Sequence, residues 1–256
     1  MQPVKRVIAI VNQKGGVGKS TTAINLGAYL AKMGEEVLVV DMDPQANATS
    51  GLGVTPGEGA CMYDVLLEEA PLEDVVVATG IEGLHLAPAS VHLVGAEVEL
   101  TSALAREFKL KKAIEQLPEE KYGRILLDCP PSLDFLTINA LTAADEALIP
   151  VQCEYYALEG LNHLRETIDE VRKYLNPRLE IGGVLLTMFD VRTNLAKQVA
   201  EDVRAFFGDR VFRTVIPRNI RLSEAPSFGL PIILYAPKSS GAEAYAAVAE
   251  EVKSRG

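Results

Sequence analysis

Seven short apolar runs punctuate the chain, at 7–11, 37–40, 84–87, 125–127, 147–151, 181–188 and 211–216. Each is rich in Val, Ile and Leu with little polar alternation, the pattern of a strand covered on both faces. The stretches between most of them are longer and carry apolar residues at helical spacing, so a strand is followed by a helix and then by another strand. Such an order predicts an α/β fold: a mostly parallel, doubly wound sheet with helices on both faces. One domain spanning residues 1–256 is expected. Residues 51–59 hold four of the 20 glycines and one proline, which reads as a loop and not as a domain boundary.

Composition narrows the function. The 256 residues are 48% hydrophobic and 23% charged, an ordinary globular balance. With 25 Lys+Arg against 35 Asp+Glu, the net charge of −10 argues against a protein that coats nucleic acid or anionic membrane through its overall field. The longest apolar stretch, 181–189, is nine residues with two glycines and a threonine inside it, far short of the ~18 of a membrane span. Two basic residues and a five-residue apolar run at the start are too little for an export signal. Three cysteines without C-x-x-C spacing support neither a disulfide framework nor a zinc site. The expected compartment is the cytoplasm.

The first apolar run leads into Asn12-Gln-Lys-Gly-Gly-Val-Gly-Lys-Ser-Thr-Thr22, followed by a helical pattern through Lys32. A strand, a glycine-rich turn and a helix start form the context of a phosphate loop. Gly15, Gly16 and Gly18 let backbone N–H groups curl around phosphate oxygens, the helix N-terminus adds partial positive charge, and Lys19 adds a full one. Ser20 offers a hydroxyl to Mg²⁺. The strict G-x-x-x-x-G-K-[ST] pattern fails at its first glycine, where Gln13 stands, and an extra lysine, Lys14, precedes the glycine pair.

In an open parallel sheet, ligands lie beyond the carboxyl ends of the strands. Two acidic segments fall there. Asp41-Met-Asp43-Pro-Gln follows the second run, and Asp128-Cys-Pro-Pro follows the fourth. Asp41 and Asp43 are two apart and project to the same side of an extended chain, with Asp43 nearer the expected γ-phosphate. One carboxylate holding the Mg²⁺ shell and one orienting water suffice for phosphoryl transfer. Cys129, beside Asp128, reads as a buried small hydrophobe.

Lys14-Gly-Gly-Val-Gly-Lys-Ser-Thr21 resembles the deviant Walker A motif of the ParA/MinD family of P-loop ATPases. The resemblance implies that Lys14, Gly15, Gly16, Val17, Gly18, Lys19, Ser20 and Thr21 hold ATP, with Lys19 acting in cis and Lys14 reaching across a dimer to the partner's nucleotide. It makes Asp43 the residue that orients the attacking water, and Asp128, with Ser20, a Mg²⁺ position. The segments 150–160, 185–190 and 216–226 are similar to those of chromosomal ParA proteins, the Soj type. By that similarity Pro217 and Asn219 contact adenine, Glu154 touches the partner's ribose, and Arg192 and Arg221 contact DNA.

Local charge fits this last expectation. Residues 160–222 carry 11 Lys+Arg against 8 Asp+Glu, and the rest of the chain 14 against 27. Arg210, Arg213, Arg218 and Arg221 lie in a run without an internal carboxylate. The resemblance implies an ATP-dependent homodimer that binds double-stranded DNA without sequence specificity, is stimulated by a ParB (Spo0J)-type protein, and acts on the nucleoid in chromosome partitioning. The alternative is a MinD-like ATPase on a membrane. Residues 242–253 disfavour it, because the polar side of that helical pattern carries Glu243, Glu250 and Glu251 where an interfacial helix needs Lys and Arg.

Overall fold

The computed structural model describes residues 5–154 and 157–255. Seven strands form one sheet: β1 (Arg6–Ile10), β2 (Val37–Asp41), β3 (Val77–Ala78), β4 (Leu84–Ala87), β5 (Arg124–Asp128), β6 (Glu146–Gln152) and β7 (Glu180–Thr187). Their order is β3-β4-β2-β5-β1-β6-β7, parallel throughout except for β3. The N-terminal half supplies helices α1 (Lys19–Lys32), α2 (Asn47–Gly51), α3 (Met62–Leu67), α4 (Leu72–Val75), α5 (Leu93–Leu100) and α6 (Lys109–Glu115). The remainder supplies α7 (Phe135–Ala143), α8 (Ala157–Tyr174), α9 (Asn194–Phe207), α10 (Ile220–Glu224), α11 (Ile232–Tyr235) and α12 (Ser240–Arg255).

The apolar runs lack polar alternation because both faces of the sheet are covered. In β1, Val7 and Ala9 enter one core with residues of α5 to α9, while Ile8 and Ile10 enter a second core with α1 and α12. The same two-residue alternation divides Leu38 and Val40 from Val37 and Val39 in β2. As the sequence suggests, α12 buries Tyr245, Val248, Ala249 and Val252, and it packs on α1. No helix among the described residues is long and apolar enough to cross a membrane.

Six of the seven runs are strands. The seventh, 211–216, is not: it makes only isolated bridges, Val184 to Val211 and Phe189 to Pro217. The segment still runs beside β7, where Phe212 N–H donates to the Val184 carbonyl at 2.9 Å and Ile216 N–H to the Leu186 carbonyl at 2.8 Å, but these contacts do not join into a ladder. The Phe212 ring packs over Gly183 so closely that a Cβ there would clash with it. The sheet instead gains β3, a two-residue antiparallel edge that the run pattern misses. Of the 51–59 segment, Gly51 ends α2 and Leu52 is buried in the core; residues 53–59 form a largely exposed turn, with Gly53 against Gly229.

Candidate functional site

β1 ends at the sheet's carboxyl edge between β5 and β6, and the chain turns there through residues 11–18 into α1. The turn closes because Gly16 and Gly18 take φ of 73° and 93°, values that L side chains adopt only at a cost. Gly15 needs no such freedom. Gly18 is also the N-cap of α1, and no side chain caps that helix, so the N–H groups of its first turn open onto the cavity. Residues far along the chain brace the loop. The Thr187 hydroxyl donates to the Val17 carbonyl at 2.8 Å, Gln13 Nε2 to Gly160 at 3.1 Å, and Asn12 Nδ2 to Pro150 at 2.8 Å.

The cavity beside the loop measures about 730 Å³. Gly15, Gly16, Gly18, Lys19, Ser20 and Thr21 line one end, Asp43 and Gln45 one wall, and Pro217, Arg218 and Asn219 the far end. Val17 turns its side chain into the core. Lys19 is 6% exposed and donates to the Lys14 carbonyl at 3.2 Å. Burial lowers its pKa, and Asp128 nearby opposes the shift. Lys14 does the opposite: it stands exposed on the rim, and its ammonium pairs with Glu154 at 3.2 Å. Tyr155 and Tyr156, next in that segment, lie outside the described residues.

Asp43 and Asp128 lie near the buried Lys19, and Asp41 stands beside both carboxylates. Asp41 and Asp128 are register neighbours at the ends of β2 and β5. Asp41 is fully buried, and its oxygens accept from Asp43 N–H, Thr49 N–H and the Thr49 hydroxyl at 2.7–3.1 Å. Burial raises it to about 6. It is a brace for the loop after β2, whereas Asp43 lines the cavity, held by Gln45 N–H at 2.9 Å. Burial also raises Asp43. Asp128 is fully buried, and neither oxygen has a hydrogen-bond partner among the described residues. Burial first, and then Asp41, push it well above the carboxylate range; the Ser20 hydroxyl opposes this shift. Such orphaned oxygens cost free energy, and a hydrated cation between Ser20 and Asp128 would relieve them. The residues present therefore fit Mg²⁺. Cys129 is buried, as expected, and burial raises its thiol.

The far end is less free than the sequence suggests. Asn219 caps α10 through Oδ1 to Arg221 N–H at 2.8 Å and donates from Nδ2 to the Ser240 hydroxyl at 2.8 Å. Arg192 donates from Nε and Nη2 to the two oxygens of Asp190 at 2.9 and 2.7 Å, and Arg221 pairs with Glu224 at 2.8 Å. The acid-free arginine run is thus divided by the fold: Arg218 lines the cavity, and Arg221 finds a carboxylate just past the run. Thr187 and Arg218 are site residues that sequence reasoning missed.

This loop on this sheet order defines the class, a P-loop nucleotide-binding fold. Residues 5–181 match the family model described as an AAA domain. Over 252 residues the chain is 57% identical to the sporulation initiation inhibitor protein Soj of Bacillus subtilis, covering 98% of this chain and 99% of that one. It is 54% identical over 252 residues to the chromosome partitioning protein ParA of Caulobacter vibrioides, covering 98% and 94%. Among solved structures, cobyrinic acid a,c-diamide synthase of Mycobacterium smegmatis with bound ATP analog and magnesium is similar at a TM-score of 0.85 and 38% identity, covering 96% and 93%. The chain belongs to the Soj/ParA family.

Proposed function

We propose that this chain is a ParA-type chromosome-partitioning ATPase. In this reading residues 1–256 form a single domain in the cytoplasm. Two subunits sandwich two Mg²⁺–ATP molecules, and the ATP dimer binds duplex DNA of the nucleoid without reading its sequence. A DNA-bound ParB (Spo0J)-type protein stimulates hydrolysis, which returns the monomer.

Lys14 is the observation that carries the reading. The cavity already has its own lysine, Lys19, buried at the helix start; Lys14 faces outward on the same loop, and among the described residues its ammonium is held only by an exposed pair with Glu154. An exposed pair is weak, so Lys14 is free to leave it for the nucleotide of a second subunit, and Glu154 is then left to meet the partner's ribose.

The other roles follow from position. The loop N–H groups and Lys19 hold the phosphates. Ser20 and Asp128 hold Mg²⁺, which when bound neutralises charge on the phosphate oxygens. Asp43, fixed through one oxygen by Gln45, keeps the other for the attacking water, and its raised pKa makes it a better proton acceptor. Pro217 and Asn219 bound the adenine end, where Asn219 has one lone pair left beyond its cap.

DNA binding measured without nucleotide, with ADP and with ATP, each across a salt series, tests the reading. Tight binding is expected with ATP alone. Equal affinity in all three states would refute it.

A further inference from the structure

Arg210 opens the arginine run, yet it lines a cavity that shares no residue with the nucleotide pocket. This second cavity, about 360 Å³, is a groove on α8 and α9 with Arg165, Arg172 and Arg210 on its walls. Ile181, Phe206 and Phe207 supply an apolar lining. Asp169 is the one acidic residue lining it, and it stands 3.7 and 3.8 Å from the nitrogens of Arg165 and Arg172, beyond hydrogen-bond distance.

Each guanidinium presents a planar fork of N–H donors. Among the described residues, Arg172 Nε to the Leu179 carbonyl at 2.7 Å is the one hydrogen bond these three side chains make. Arg210 has no carboxylate within 4.0 Å among the described residues. Arg165 lies over the Phe206 ring, 5.5 Å from its centroid. The groove therefore holds three cations against one loosely engaged anion, in a protein whose net charge is −10.

A carboxylate would offset one charge with two acceptor oxygens. A phosphate brings more acceptor oxygens; a free or terminal one carries close to two charges, and along a nucleic-acid strand successive backbone phosphates bring one each, so either source matches the surplus. We propose that the α8–α9 groove is a phosphate-binding site separate from the nucleotide pocket, taking either a backbone phosphate of nucleic acid or a free phosphate anion. The first source rests on the DNA-binding reading above; the second does not.

The test uses the full chain with its phosphate loop saturated by a non-hydrolysable ATP analogue. The double variant Arg165→Ala, Arg210→Ala spares Arg172, whose Nε supports Leu179. Arg178→Ala, an exposed arginine outside the groove, controls for net charge. Calorimetry with tripolyphosphate and titration with a short duplex DNA across a salt series are the two arms. The double variant should lose about tenfold in at least one arm, with the DNA salt slope falling by about 1 to 2, while Arg178→Ala stays within about twofold. Loss with DNA alone assigns the site to nucleic acid, and loss with tripolyphosphate assigns it to a free anion. A double variant that matches wild type or the control in both arms overturns the proposal. Should wild type bind no DNA in any nucleotide state, the proposed function fails, and the tripolyphosphate arm alone decides the groove.

Discussion

Asp41 and Asp43 are two residues apart, and the sequence puts only Asp43 at the expected γ-phosphate without giving Asp41 a task. The fold separates their work by burial. Asp41 takes three donors and faces the protein; Asp43 takes one and faces the cavity. Asp43→Ala should therefore bind ATP as wild type does and lose about 10²- to 10⁴-fold in single-turnover hydrolysis. Rapid turnover by that variant would remove Asp43 from its role. Asp41 answers to pH instead. Its folded pKa of about 6 lies above the ordinary 3.8. An acid shifted this way adds stability that is fully present below its unfolded pKa and is lost as pH rises through the folded one. Urea unfolding of wild type against Asp41→Asn should show wild type losing ground steadily between about pH 4 and pH 6. A constant difference across that window would mean Asp41 does not titrate there. The phosphate loop was legible because strand, turn and helix are contiguous. Thr187 was not, since it braces Val17 from 170 residues away, and no local pattern marks such a contact.

At the scale of elements, an apolar run marks burial, whereas a strand needs a continuous ladder as well. Residues 211–216 have the composition of a strand and lie beside β7, yet they meet it through isolated bridges and separate N–H donations. β3 escapes notice for the converse reason: two residues are too few to carry any period. The Gly183–Phe212 contact is testable, since a methyl group there would meet the ring at 2.2 Å. Gly183→Ala should destabilise the fold by about 1–3 kcal/mol, read as a lower urea midpoint with an unchanged slope. Phe212→Leu, which frees the space, should restore part of the loss. Equal stability of Gly183→Ala and wild type would show that the ring moves aside at no cost.

For the whole molecule, the net charge of −10 argues against DNA, and segment counts qualify that by placing the surplus of basic residues in 160–222. The structure qualifies it again. Arg192 and Arg221 are each paired with an acid, so a phosphate meeting either would compete with Asp190 or Glu224 for its charge. A monomer would then offer few, contested contacts, and only a dimer doubles them on one duplex. Arg221→Glu probes this directly. The Asn219 cap uses the Arg221 backbone N–H, which the variant keeps, and the lost ion pair is exposed, so the fold should hold. Arg221 does not line the nucleotide cavity, so ATP affinity and ATP-dependent dimerisation should stay within about twofold. DNA affinity of the ATP dimer at low salt should fall at least about tenfold, and the slope of log K against log salt should become shallower by about 2, one contact from each subunit. The same slope with the same affinity would show that Arg221 remains with Glu224 and that the DNA lies elsewhere.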